Sequence, residues 1–146
     1  MSSDLQWLLI RKNNSYMVKR VAEGPIFSRE PGNLRNLHSF KYSGIANAKT
    51  IDISDSGSGI QIATRKTKTS PHAVRTGKST SSLRNRSGGR RTLGIAASYA
   101  KRGYRPDLRT AAIGRASALL AAQKEPKPTP EKKARGKKTR AIEQSA

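Results

Sequence analysis

The sequence predicts an α+β fold: a small antiparallel sheet followed by a two-helix unit, with an extended basic arm and a basic tail. Three observations carry this. Short apolar segments alternate with polar residues at period two as far as residue 65. Apolar residues between 93 and 120 recur at helical spacing. Charge is uneven: residues 1–63 hold 8 Lys/Arg and 5 Asp/Glu, whereas residues 64–146 hold 22 and 4. The predicted units are an antiparallel β domain at 1–65, a Ser/Gly-rich basic arm at 66–89, a two-helix unit at 90–123 packing with the β domain, and a disordered basic tail at 124–146.

The first element, Leu5 to Arg11, is apolar on both alternating faces and reads as a buried strand, with Trp7 as core. Lys12-Asn13-Asn14 is a turn signal, and Ser15 to Val21 completes a predicted hairpin. Pro25 restricts Ile26-Phe27-Ser28 to an edge strand. Leu34 to Leu37 fits a helical turn, and His38 to Tyr42 reads as extended. Ile51 and Ile53, then Ile60 and Ile62, flank the loop Asp55-Ser56-Gly57-Ser58-Gly59, which is a hairpin pattern. Residues 5–65 therefore predict four to six strands.

From Arg65 the composition changes. Lys66 to Ser82 is rich in Lys, Arg, Ser, Thr and Gly, and is expected to order only on a partner. Leu93, Ala96, Ala97 and Ala100 then form one helical stripe. Lys101 and Arg102 suit the end of that helix, with Gly103 as its cap. Pro106 and Asp107 suit the start of the next, whose apolar face is Leu108, Ala112, Ala116 and Leu119 or Leu120.

Of 146 residues, 34% are apolar and 5% aromatic, which supports one modest core. A net charge of +21 far exceeds what solubility needs and opposes compaction unless counter-charge is supplied. The partner it implies is nucleic acid. The absence of cysteine removes disulfides, thiolate metal sites and Cys nucleophiles. No signal peptide is expected from Met1-Ser2-Ser3-Asp4, and the longest apolar run, Trp7 to Ile10, is too short to cross a bilayer. His38 and His72 stand far apart, and the acids are scattered rather than clustered for metal-assisted phosphoryl chemistry. The sequence therefore predicts no enzyme, no cofactor, no metal, no membrane and no small-molecule substrate.

The candidate RNA-binding residues follow the charge. At the end of the β domain and in the arm they are Arg65, Lys66, Lys68, Arg75, Lys78, Arg84 and Arg86. In the helical unit they are Arg90, Arg91, Lys101, Arg102, Tyr104, Arg105, Arg109 and Arg115, and in the tail Lys132, Lys133, Arg135, Lys137, Lys138 and Arg140. Arginine's planar fork suits fixed phosphate contacts, and lysine suits diffuse neutralisation. Tyr104, interleaved with cations, could stack on a splayed base. Neutralising Arg105 and Arg109 together is expected to weaken RNA incorporation more than removing two tail lysines. The alternatives are a chromatin or DNA-compacting basic protein and an RNA-processing enzyme or assembly factor.

The run Tyr104-Arg105-Pro106-Asp107-Leu108-Arg109, followed by Ala111-Ala112-Ile113 and Arg115-Ala116-Ser117-Ala118, closely resembles the eukaryote-specific large-subunit ribosomal protein L-twenty-eight family. Leu5-Gln6-Trp7, Glu30-Pro31, Asn33-Leu34, Ser39 to Gly44 and Lys49-Thr50 fit the same family in the same order. The resemblance covers about 5–55 and 92–123, and departs at 76–92 and 124–146. It implies a structural component of the cytosolic large subunit, assembled in the nucleolus, with ribosomal RNA and neighbouring ribosomal proteins as partners.

Overall fold

A computed structural model describes residues 2–19, 22–70, 72–101 and 103–130, with Lys101 described by its backbone alone. Its order is α1 (Ser3–Ile10), β1 (Met17–Val18), β2 (Phe27–Ser28), β3 (Ile51–Asp55), β4 (Gly59–Arg65), β5 (Lys78–Arg84), α2 (Gly89–Lys101) and α3 (Arg109–Ala122). Two antiparallel sheets, β1-β2 and β3-β4-β5, together with three helices make the α+β class expected.

The core lies between the three-stranded sheet and the α2–α3 pair. Ile51, Ile53, Ile60 and Ile62 project from one sheet face and meet Ala96, Ala100, Leu108, Ala112 and Ala116, all buried. Isoleucine suits the half-buried pleat, and alanine lets the helices approach it closely. The expected hairpin is β3–β4, and its register sets Ile53 opposite Ile62 and Asp55 opposite Ile60. Gly57 has a φ of 77° in its loop, and the Asp55 carboxylate accepts from its N–H at 2.8 Å. Gly59 is required by closeness: a Cβ there would collide with the Leu83 carbonyl oxygen on β5.

The helical stripes lie close to those predicted. Ala96 and Ala100 are buried on α2, joined by Thr92, while Leu93 packs at the core's margin. Gly103 has the positive φ, 72°, of a helix-terminating residue. Pro106–Leu108 forms a 3-10 turn that runs directly into α3, with Pro106 and Asp107 at its start.

The N-terminal third differs from the prediction. Leu5–Arg11 is not a strand: Ser3–Ile10 is helical. The Ser2 hydroxyl caps the Leu5 N–H at 3.3 Å, and Asp4 lies in the first turn where a carboxylate complements the helix dipole. A short apolar run without real alternation fits a strand or a helix, and the cap favours the helix. Trp7 is half-buried, its ring 4.9 Å from His38 and 6.1 Å from Phe40 between centroids. The expected first hairpin partner shrinks to Met17–Val18, which pairs with Phe27–Ser28, so that edge strand is present. Phe40–Tyr42 is a 3-10 turn rather than extended chain. A single sheet of four to six strands within 5–65 is therefore replaced by two small sheets.

Between the sheets, buried polar groups organise a loop. The Glu30 carboxylate accepts from Asn33 Nδ2 at 3.0 Å and from the Ser43 hydroxyl at 3.1 Å. Gly44 passes so close to Pro31 that a Cβ would collide with the Pro31 carbonyl oxygen.

The segment expected to be an unpaired arm contains β5. Lys78–Arg84 pairs with β4 residue for residue, from Arg65 opposite Lys78 to Gly59 opposite Arg84. A polar edge strand needs little apolar surface when a neighbour supplies its ladder hydrogen bonds, and Leu83, packed against the core, anchors it on the helix side. The tail residues 131–146 lie outside the described residues.

Candidate nucleic-acid interface

Cations cluster at both ends of β5. At its start, Arg65 and Lys78 are direct cross-strand partners, with Lys66 next in the chain. Arg65 is half-buried, whereas Lys66, Lys68, Arg75 and Lys78 are exposed.

At the other end, Arg84 closes β5, Arg86 follows in the 3-10 turn Asn85–Ser87, and Arg90 and Arg91 occupy the first turn of α2. All four arginines are exposed. The first turn of α2 holds no acid. Two arginines there oppose the helix dipole, a small local cost. Their value therefore lies outside the helix.

The strand between these poles is polar. Lys78, Thr80, Ser82 and Arg84 alternate onto the sheet face opposite the helices and are exposed. They register against Arg65, Ala63, Gln61 and Gly59. At the Arg65 end this face borders an apolar groove lined by Leu9 and Ile10 of α1 with Ile45 and Val74. Leu5, Leu8 and Leu9 are exposed on α1.

The turn before α3 behaves differently. Arg105 is inward and only 15% exposed. Its Nη2 donates to the Asp107 carboxylate at 2.8 Å and to the Lys41 carbonyl at 2.8 Å, and its Nη1 donates to the Lys49 carbonyl at 3.1 Å. The Arg105 hydrogen bond holds the Asp107 carboxyl below its ordinary value. Tyr104 is half-buried, its hydroxyl held by the Thr50 N–H and the Arg65 carbonyl, and Lys49 Nζ lies 5.8 Å from its ring centroid. Burial raises its phenol above the ordinary value. Arg115 is half-buried and reaches the Ile53 carbonyl at 3.4 Å. Arg109 is exposed.

The structure thus gives Arg105, Tyr104 and Arg115 intramolecular partners and directs Arg84, Arg86, Arg90, Arg91 and Arg109 outward. The Lys101 side chain, Arg102, Lys132, Lys133, Arg135, Lys137, Lys138 and Arg140 lie outside the described residues. Two exposed cations beside the Arg105 turn, Lys41 and Lys49, do not stand out in the sequence, because the charge of the N-terminal half is nearly balanced. Their signal is proximity to aromatic residues: Lys41 Nζ lies 5.6 Å from the Tyr42 ring centroid. Among the described residues no group of three or more metal-ligating side chains could hold a metal ion, and no helix is long and apolar enough to cross a membrane.

Comparison with known proteins bears out the family resemblance. The large ribosomal subunit protein eL28 of Dictyostelium discoideum is 37% identical over 130 residues, covering 85% of this chain and 93% of that relative. The eL28 protein of Schizosaccharomyces pombe is 36% identical over 133 residues, covering 88% and 96%. That of Caenorhabditis elegans is 38% identical over 71 residues, covering 49% and 56%. The ribosomal L28e protein family matches residues 5–122, which takes in β5 and the Arg84–Arg91 corner as well as the motifs that carry the resemblance. The chain belongs to the ribosomal L28e protein family.

Proposed function

We propose that this protein is a non-catalytic structural constituent of the cytosolic large ribosomal subunit. It binds and charge-neutralises ribosomal RNA, contacts neighbouring ribosomal proteins, and joins the particle during nucleolar assembly. The observation that carries this reading is the family match across 5–122 in a chain of net charge +21. Exposed cations at both ends of β5 support it, because ordered cations keep phosphates in fixed positions. The modest core supports it too: self-repulsion within the basic half is relieved when RNA supplies the counter-charge.

The test is sedimentation of the full-length chain expressed in a eukaryotic cell. The expected result is residence in mature large subunits that survives a high-salt wash. Recovery with chromatin, or only with precursor particles, overturns the reading in favour of a DNA-compacting protein or an assembly factor respectively.

A further inference from the structure

The helices cover one face of the β3-β4-β5 sheet, and the opposite face carries a pattern with chemical meaning. Along β5, exposed Thr80 and Ser82 stand between Lys78 and Arg84. Half-exposed Gln61 lies beside Ser82 on β4, and Ser54 lies beside Gln61 on β3. These side chains are short, uncharged hydrogen-bonding groups; Asp52 on β3, in the row of Ala63 and Thr80, is an acid on the same face. None can stack on a base, and none can reach into a deep groove. From Lys78 to Arg84 the strand spans roughly 20 Å, so the two cations are set several nucleotides apart.

We propose that this face is a ribose–phosphate platform for A-form RNA. Lys78 and Arg84 hold phosphates at its ends, and Thr80, Ser82 and Gln61 hydrogen-bond 2′-hydroxyls between them. The minor groove of an A-form helix is wide and shallow and displays its 2′-hydroxyls, which a flat sheet face can meet. Hydroxyl and amide side chains both donate and accept, matching a group that does the same. The terminal cations complement the charge of the RNA backbone. The platform therefore distinguishes RNA from DNA without reading base sequence. This inference rests on the proposed RNA binding and assigns it to one surface.

The experiment measures binding of the full-length protein to an RNA duplex, the DNA duplex of the same sequence, and the RNA duplex carrying 2′-O-methyl groups, at one salt concentration. The wild-type protein is expected to favour the RNA duplex over DNA by about tenfold, the scale of a few neutral hydrogen bonds. The 2′-O-methyl duplex is expected to lose most of that preference. The double variant Thr80→Val and Ser82→Ala keeps side-chain volume and strand propensity. It is expected to bind DNA as the wild type does and to lose most of its RNA preference. A thermal melt of the variant checks its fold, and the modified duplex tests the same idea on the unaltered protein. Equal wild-type affinity for RNA and DNA overturns the platform while leaving RNA binding intact. So does an RNA preference that the double variant retains, which is the result expected if a neighbouring protein covers this face. Failure to bind RNA at all overturns the wider reading instead.

Discussion

The Tyr104 hydroxyl lies 2.6 Å from the Arg65 carbonyl oxygen and donates to it across 39 residues of chain. The hydroxyl oxygen in turn accepts from the Thr50 N–H at 3.0 Å. One phenol thus joins the turn before α3 to the segment leading into β3 and to the end of β4. Arg65 and Lys78, neighbours across the sheet, are held in place partly from behind. The basic end of the sheet is therefore positioned by a residue whose hydroxyl is turned toward the backbone of the fold.

Tyr104→Phe keeps the ring and strands the two backbone groups, and is expected to lower stability by about 1–2 kcal/mol. The phenol is raised above 10.0 by burial, so its neutral form is favoured in the folded protein. Its contribution is present below pH 10 and is lost as pH rises through the folded value. Urea titrations from neutral pH to about pH 11 should show the gap between wild type and variant narrowing at the alkaline end. A constant gap would show that the hydroxyl's bonds are not the source of the loss.

The Arg105 guanidinium holds the Lys41 and Lys49 carbonyls and the Asp107 carboxylate together. Lysine cannot reproduce that fork. Arg105→Lys is expected to cost about 1 kcal/mol through the carbonyl and carboxylate hydrogen bonds it loses. Asp107 has a carboxyl lowered from 3.8 by Arg105, so its stabilisation is present above that pH and is lost as pH falls through the depressed value. Asp107→Asn should therefore be less stable than the wild type at neutral pH and converge with it in acid. Parallel acid-denaturation profiles would contradict the pairing.

How much of this was legible in sequence depended on where the physical signal was local. Ile51, Ile53, Ile60 and Ile62 announce a hairpin because period two and a Gly-containing loop lie side by side. Ala96, Ala100, Ala112 and Ala116 announce two helices because small residues at helical spacing have few other uses. In α1 the apolar run Trp7–Ile10 fits either state, and the deciding feature was the Ser2 cap followed by Asp4. In β5 the low apolar content was itself misleading, since the edge strand is held by pairing with β4. Charge was legible, but its direction was not. Arg105 and Arg109 stand four residues apart in the same basic turn, and only the fold sends one inward and leaves the other in solvent.

The Glu30 carboxylate offers a test of the loop between the two sheets. It is 4% exposed and satisfies Asn33 Nδ2 and the Ser43 hydroxyl, both themselves buried. Glu30→Ala leaves the Ser43 hydroxyl without this acceptor, while Asn33 Nδ2 keeps its bond to the Leu37 carbonyl at 2.8 Å, so a loss of about 1–3 kcal/mol is expected. Glu30→Gln retains one acceptor oxygen and should recover part of that. Chemical denaturation of the three proteins gives the comparison. A Glu30→Ala variant as stable as the wild type would mean that the network does not hold the loop.

The division between inward and outward arginines makes the sharpest prediction, because it separates two readouts. Changing Arg84, Arg86, Arg90 and Arg91 together to Gln removes four exposed cations, two of them in the first turn of α2. Melting temperature should hold or rise slightly, since cations at a helix start oppose its dipole. RNA affinity should fall, and the slope of its logarithm against log salt should shrink by about one for each phosphate that is no longer neutralised. Arg105→Ala should do the reverse, lowering melting temperature while leaving the salt slope nearly unchanged. Arg109→Ala, at an exposed position on α3, should behave like the first group. If Arg105→Ala instead reduces the salt slope as much as Arg109→Ala, its guanidinium leaves its carbonyl partners to meet RNA. Arg105 would then have to be counted among the phosphate-binding residues.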